Sequence, residues 1–548
     1  MAKSDIINPT MKIAMKLFIV PILLCIGCFR LSAQNQYNNF KTMSQKIDAL
    51  SKDYPSLCTV KSIVKTAGGK EIWVISVGTG DKDNKPGIAV FGGVEGNYIL
   101  SKELALGFAG SLLKESSLPE IKGLLDKITF YVFPDVSPDA TEQYFADLKY
   151  ERAVNAKATD ADRDFVTDED PYEDLNKDGL ITLIRVKDPS GQYTESKEDK
   201  RVMIKADLSE GQSGGYQVYS EGIDNDKDDS FNEDGAGGVN FNRNFTFNYE
   251  EYGLNAGLYP VSEPETKAVA DFLYDKFNIY AVFTFGPQDN LGQPWKSSDR
   301  QVVDRRITSI MKSDEPINKF VSDKYHEITG AKGAPVAISS PGNFMEWAYY
   351  HYGRYSFGTP AWWFPVEKGK NEEAAFLKFA EQNKINDVFV PWTEIKHPDF
   401  PDKKTEVGGI KPFAMINPPA DTIGDLITKN YKFITAIALM HPELEFLDVK
   451  TENAGENVFR ITLKVHNKGL FATCAEIGED NDWTRIMRIS LFPANGQNLL
   501  SGKKVQIINR LEGDKSAEFS WLVSGKGSVK LTAGALNTGT ISSTIDLK

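Results

Sequence analysis

The chain has 548 residues, 41% of them hydrophobic and 25% charged, an ordinary globular balance with enough length for two or three domains and a large core. Its formal net charge of -13 comes without any basic block, which excludes nucleic acid and an anionic membrane surface as expected partners. Of four cysteines, Cys25 and Cys28 lie in the N-terminal segment, leaving Cys58 and Cys474, too few for a disulfide framework or a cysteine-based metal site.

Taken in order, Lys12 and Lys16 precede the apolar run Leu17 to Leu24, and Leu31-Ser32-Ala33 offers small residues for cleavage before Gln34. Residues 1–33 therefore read as a secretion signal, with Met11 as an alternative start. The run is short and broken by Pro21, which argues against a membrane span. Lipoprotein cleavage before Cys28 is disfavoured by Cys25 three positions ahead. The expected location is secreted or periplasmic, with surface attachment as its variant.

Residues 34–441 read as an α/β domain. Asn38 to Leu57 has helical spacing, and Glu71 to Val77 reads as a strand. Ile88 to Phe91 is a short apolar run typical of a buried strand. Gly92 and Gly93 permit a tight turn after it, and Leu100 to Phe108 resumes helical spacing. A strand, a glycine turn and a helix in that order form the carboxyl edge of an α/β sheet, where sites usually sit. Ile128 to Phe133 is another buried strand, ending in Pro134-Asp135-Val136-Ser137-Pro138-Asp139.

From residue 155 to 238 the composition shifts to Asp, Asn, Gly and Glu, which reads as a surface insertion. Three runs alternate oxygen-bearing side chains: Asp160, Asp162, Asp164; Asp174, Asn176, Asp178 followed by Gly179 and Ile181; and Asp224, Asp226, Asp228. Such spacing on a turning loop converges on a hard cation, so calcium is the expected ion. Position twelve is Arg185 in one loop and Gly235 in another, so a bidentate acid must come from elsewhere, with Asp168, Asp170, Glu233 and Asp234 as candidates. A merely solvated acidic loop is the plainer alternative.

Next comes Gly-Val-Asn-Phe-Asn-Arg-Asn over residues 238–244, then a helix opening at Ser262-Glu263-Pro264-Glu265-Thr266, where Ser262 and Glu265 have capping-box spacing. The strand Ile279 to Phe285 runs into Gly286-Pro287-Gln288. Residues 343–357 read NFMEWAYYHYGRYSF, followed by Gly358-Thr359-Pro360. Residues 391–419 form a proline-rich strap, and Ile423 to Met440 has helical spacing. From 442 to 548, short runs (Phe459–Val465, Ile486–Phe492, Lys504–Ile508, Ala517–Leu522, Ser528–Ala533) alternate between Gly and Asn turns, as in a β-sandwich of roughly 100 residues.

These words resemble the zinc carboxypeptidases of the carboxypeptidase A type, over roughly residues 40 to 440. The resemblance implies a mixed, mostly parallel sheet of about eight strands with helices on both faces. It also implies a zinc site whose three ligands and catalytic Glu fall on Glu95, Tyr98, Gly286 and Pro360, none of which is the family residue. The substrate-gripping positions fall on Arg152, Asn242, Arg243 and the lid tyrosine Tyr349. The histidines, His326, His351, His397, His441 and His466, include no two within four residues, which excludes a zinc pair on one turn or helix. The expectation is a secreted carboxypeptidase-like protein without catalysis that binds peptide or peptidoglycan-derived C-termini. Two alternatives stand beside it: an active zinc carboxypeptidase with atypical ligands such as Glu95 and His351, and a calcium-stabilised adhesion or glycan-binding protein.

Overall fold

In this computed structural model the described residues are 36–159, 167, 170–225, 227, 231–232, 237–300, 302–303, 306–481 and 483–548. The expected signal segment and Asp160, Asp162, Asp164, Asp168, Asp226, Asp228, Glu233, Asp234 and Gly235 lie outside them.

The chain opens with α1 (Phe40–Asp53), capped by the Asn39 side chain accepting from the Thr42 N–H. The hairpin β1 (Cys58–Lys65) and β2 (Glu71–Val77) leads to β3 (Gly87–Phe91), α2 (Ile99–Lys114), α3 (Pro119–Lys127), β4 (Thr129–Phe133) and the one-turn α4 (Pro138–Thr141). The acidic insertion contributes β5 (Leu183–Lys187), β6 (Tyr193–Glu195), β7 (Met203–Lys205) and β8 (Tyr216–Ser220). Then follow α5 (Pro264–Asp275), β9 (Ile279–Phe285), the small hairpin β10 (Val302–Val303) and β11 (Arg306–Ile307), α6 (Glu315–Thr329), α7 (Phe344–Tyr350) and β12 (Tyr355–Thr359). The domain closes with α8 (Glu372–Gln382), β13 (Phe389–Ile395), β14 (Thr405–Ile410) and α9 (Ile423–Ala438).

The central sheet has the order β1-β2-β4-β3-β9-β12, six strands rather than about eight. Its β4, β3, β9 and β12 run parallel, while β1 and β2 join antiparallel at one edge. Strand alternation sends Ile88, Val90, Phe130 and Val132 to one face, under Leu104 and Phe108 of α2 and Ile434 and Ile437 of α9. Ala89, Phe91, Tyr131 and Phe133 point to the other face, against Val269 and Leu273 of α5 and Phe344 and Trp347 of α7. A Cβ on Gly107 of α2 would meet the Ile427 side chain at 2.6 Å, so glycine there lets α2 and α9 approach closely.

A second sheet has six strands of its own. β13 and β14 pair with the insertion in the antiparallel order β13-β14-β5-β8-β6-β7. The expected surface insertion and proline-rich strap are thus two halves of one sheet, packed over Val202, Phe364, Phe376 and Leu377.

The C-terminal region is two four-stranded antiparallel sheets. β15 (Leu444–Gly455), β16 (Val458–Asn467), β20 (Lys515–Ser524) and β18 (Asn498–Ser501) form one; β19 (Val505–Ile508), β17 (Met487–Phe492), β21 (Gly527–Ala535) and β22 (Gly539–Leu547) form the other. Phe459, Ile461, Leu463 and Val465 of β16 point inward with Trp521, Ile489 and Leu531. The short helix α10 (Glu476–Asp480) and the following turn join this region to the first. At that junction the buried Asp314 carboxylate accepts from the Glu476 N–H at 2.9 Å and pairs with Arg510 at 3.2 Å.

Candidate functional site

The turn after β3 places Glu95 at the carboxyl edge of the central sheet. Gly93 adopts φ 67 there, and a Cβ on it would overlap the Asp135 carboxylate, so this turn requires glycine. Glu95 Oε1 accepts from Asn240 Nδ2 at 2.6 Å and Oε2 from Asn242 Nδ2 at 3.0 Å. Asn242 Nδ2 also donates to Gln288 Oε1 at 2.8 Å, and Gln288 Nε2 donates to Ser340 Oγ at 3.0 Å. The far side of Asn242 is fixed too, since its Oδ1 accepts from the Phe344 N–H at 3.0 Å. Burial pushes the Glu95 carboxyl above its ordinary range, while the two amides and the Arg243 charge pull it back.

Tyr98 caps no group with its side chain at the start of α2. Burial holds its phenol well above the ordinary tyrosine range, and the charges of Glu95, Glu151 and Glu372 add to that effect. At the end of β9, Gly286 donates its N–H to the Thr359 carbonyl, and a Cβ there would lie 2.5 Å from Val94 Cγ2. The position thus has little room for a side chain as the fold stands. Pro360 ends β12 and is followed by Ala361 at φ 61. Among the described residues, no three His, Cys, Asp or Glu side chains group closely enough to hold a metal ion. His351 faces Thr246 Oγ1 at 2.6 Å and packs on Phe247.

The expected gripping residues separate. Arg243 sits in a short turn, Phe241–Arg243, capped by the Asn240 side chain accepting from the Asn242 N–H. Its guanidinium donates at 3.3 Å to the Leu254 carbonyl and, among the described residues, has no carboxylate within ion-pair distance. Around it the loop from Asn248 to Val261 holds Asn248, Tyr252, Asn255 and Val261 at positive φ and exposes Leu254 and Leu258. Backbone strain of this kind persists only where surrounding structure enforces it. Arg152 instead donates Nε to the Val154 carbonyl at 3.0 Å and Nη2 to the Asn155 carbonyl at 2.6 Å, bracing its own loop.

Tyr349 corrects the lid expectation. It is 2% exposed, and its hydroxyl donates to Asp314 Oδ2 at 2.8 Å and accepts from the Met311 N–H at 2.9 Å. A phenol fixed so within the core is a structural tie near the junction with the C-terminal sheets, not a closing flap. The capping box at Ser262 is likewise absent: the residue before α5 is Glu263, and Ser262 Oγ contacts Glu263 and Asn244 instead.

Of the calcium candidates, Asp174, Asn176 and Asp178 fold into one turn. Asp174 accepts from the N–H groups of Lys177, Asp178 and Gly179, and Lys177 and Gly179 adopt φ 61 and 80. Asp224 accepts from the Lys227 N–H. Asp170 is fully buried, its oxygens taken by Asn225 and the Asn232 N–H. The sequence reading missed Glu221, whose carboxylate accepts from Leu175, Asn176 and Thr182 and closes the base of the 174–182 loop. It also missed Asn240 and Gln288, although Asn240 stands in the quoted 238–244 motif.

The family profile described as zinc carboxypeptidase matches residues 43–382, and one described as a domain of unknown function matches residues 443–546. The chain belongs to the zinc carboxypeptidase family. It is 27% identical to carboxypeptidase M of Mus musculus over 111 residues, 20% of this chain and 25% of that one. It is 24% identical to carboxypeptidase B of Astacus astacus over 121 residues, 22% of this chain and 39% of that one. The chain therefore spans well under half the length of these relatives. Among solved structures, carboxypeptidase A from Helicoverpa armigera aligns over 74% of both chains with a TM-score of 0.41 and 12% identity. Thrombin activatable fibrinolysis inhibitor aligns over 74% of both with a TM-score of 0.40 and 15% identity. Among the described residues of this family member, no helix is long and apolar enough to cross a membrane.

Proposed function

We propose that this protein is an exported, non-catalytic member of the zinc carboxypeptidase family that binds free C-termini of peptides, including peptidoglycan-derived ones. The observation that carries the reading is the division of labour at the family's site: Glu95 is held by two amides, while Arg243 donates to a carbonyl and has no acid partner among the described residues.

Zinc of the family type needs three nitrogen, oxygen or thiolate donors and an open position. Of the four positions, only Glu95 carries an ordinary donor, and its oxygens are already bonded. Tyr98 resists ionisation, Gly286 has no side chain, and Pro360 has neither a ligand group nor an N–H. These residues do not fit a catalytic zinc, and no hydrolytic step follows from them.

Arginine suits the binding role because its planar fork meets a carboxylate bidentately. Asn242 no longer shares that role, being spent on Glu95 and Gln288, so the grip rests on Arg243. Calorimetry with peptides matched as free acid and amide tests this. The acid should bind at least roughly tenfold more tightly, since a charge-assisted pair is worth ~1.5–3 kcal/mol, and Arg243→Gln should erase the difference. Equal affinities, or no binding, would leave a vestigial cleft in which the Glu95 charge alone satisfies Arg243.

A further inference from the structure

Against the second sheet lies an open hollow of about 330 Å³, lined by residues of β5, β7, β8, β13 and β14 together with Glu151 and Glu373. That volume sits at the small end of ligand sites. One rim is the stacked pair Tyr150 and Tyr172, with ring centres 3.8 Å apart. Phe389 and Trp392 of β13 also line it.

The charges around this hollow do not balance. Its two cations are matched: Arg201 pairs with Asp199 and Glu381, and Lys411 with Asp387. Glu151 accepts from Asn97 Nδ2 and the Phe413 N–H. Glu373, in the first turn of α8, has no hydrogen bond or ion pair among the described residues. Its carboxyl is pushed above the ordinary range by burial and by the neighbouring Glu372. A half-buried carboxylate without a partner is costly, and a cation restores what it lacks. The walls suit one: Arg185 already lies 4.5 Å over the Trp392 ring and Arg201 5.7 Å over Phe389, whereas the Tyr150 and Tyr172 rings carry no such partner among the described residues.

We propose that the hollow is a subsite for an organic cation, an alkyl ammonium or guanidinium group that pairs with Glu373 while its stem lies against the Tyr172 rim. The inference stands apart from the Arg243 reading, because the cation need carry no carboxylate.

The probe is agmatine, which has a guanidinium, an amine and no acid group. In calorimetry it should bind saturably in the millimolar range, and Glu373→Gln should weaken it tenfold or more. Arg243→Gln should leave it unchanged, which separates failure here from failure of the C-terminus reading. An arginine-containing peptide amide binding more tightly than agmatine would assign the cation to a peptide side chain; the reverse order would assign it to a free amine. Absence of agmatine binding, equal binding to Glu373→Gln, or preferential binding of N-acetylglucosamine would overturn the proposal. Should Glu373→Gln fold poorly, Glu373→Ala serves, with the melting temperature as the check on folding.

Discussion

Asp289 lies two residues past the Gly286-Pro287 turn and is 4% exposed. Its Oδ1 accepts from the Leu291 and Gly292 N–H groups at 2.9 and 2.7 Å, while Oδ2 has no partner among the described residues. Burial raises this carboxyl to about 6, against the pull of those two N–H groups and of His326. A folded-state value raised above the unfolded one means that the protonated form is favoured by folding. Its contribution to stability is therefore present below about pH 4 and is lost as pH rises through about 6. A two-unit difference at 1.36 kcal/mol per unit corresponds to about 3 kcal/mol between those limits. Asp289→Asn keeps the Oδ1 acceptor and removes the titration. Denaturant unfolding at pH 4.5, 5.5, 6.5 and 7.5 should show the variant gaining on the native chain as pH rises, by about 2 kcal/mol across this range, the remainder of the difference falling below pH 4.5. A difference between the two that is flat across this range would refute the reasoning.

Two further outcomes follow from the geometry. Arg510→Ala removes the cation paired with the buried Asp314 at the junction with the C-terminal sheets, and should cost about 3–5 kcal/mol in calorimetric unfolding; a loss under about 1 kcal/mol would show that the Tyr349 and main-chain bonds suffice alone. Calcium held by the loops at Asp174–Asp178 and Asp224 should raise the melting temperature, by about 2.7 kcal/mol of stability at a hundredfold excess over its dissociation constant. Melting unchanged by calcium or a strong chelator would leave these as ordinary turns, in which the carboxylates only cap their own main-chain N–H groups.

The inner strands of the central sheet were legible because they are short apolar runs that end at glycine or proline: the strand read at Glu71 to Val77 is observed over those residues, and the run from Ile88 leads into the expected turn and helix, whereas the edge strand Cys58–Lys65, interrupted by Lys61, gave no such signal. The second sheet was not legible. Its strands are three to seven residues long and polar in part, as in Tyr193–Glu195, and Arg185 of β5 faces Glu406 of β14 more than 200 positions away. Local periodicity carries no information about such pairing. At the site, the motif located Glu95, Asn242 and Arg243 in one neighbourhood but gave no means of knowing that Asn242 turns its amide to Glu95 rather than outward. Tyr349 failed for a related reason. A tyrosine on an amphipathic segment reads alike as lid or core, and the deciding partner, Asp314, lies 35 residues upstream.

The central claim is that the family's site survives here without its metal chemistry. Metal analysis of the protein after equilibration with zinc, alongside release of C-terminal residues from a mixed peptide pool, tests it most directly. The account predicts no stoichiometric zinc and no released amino acids. One zinc per chain, lost together with peptidase activity on Glu95→Ala, would contradict it.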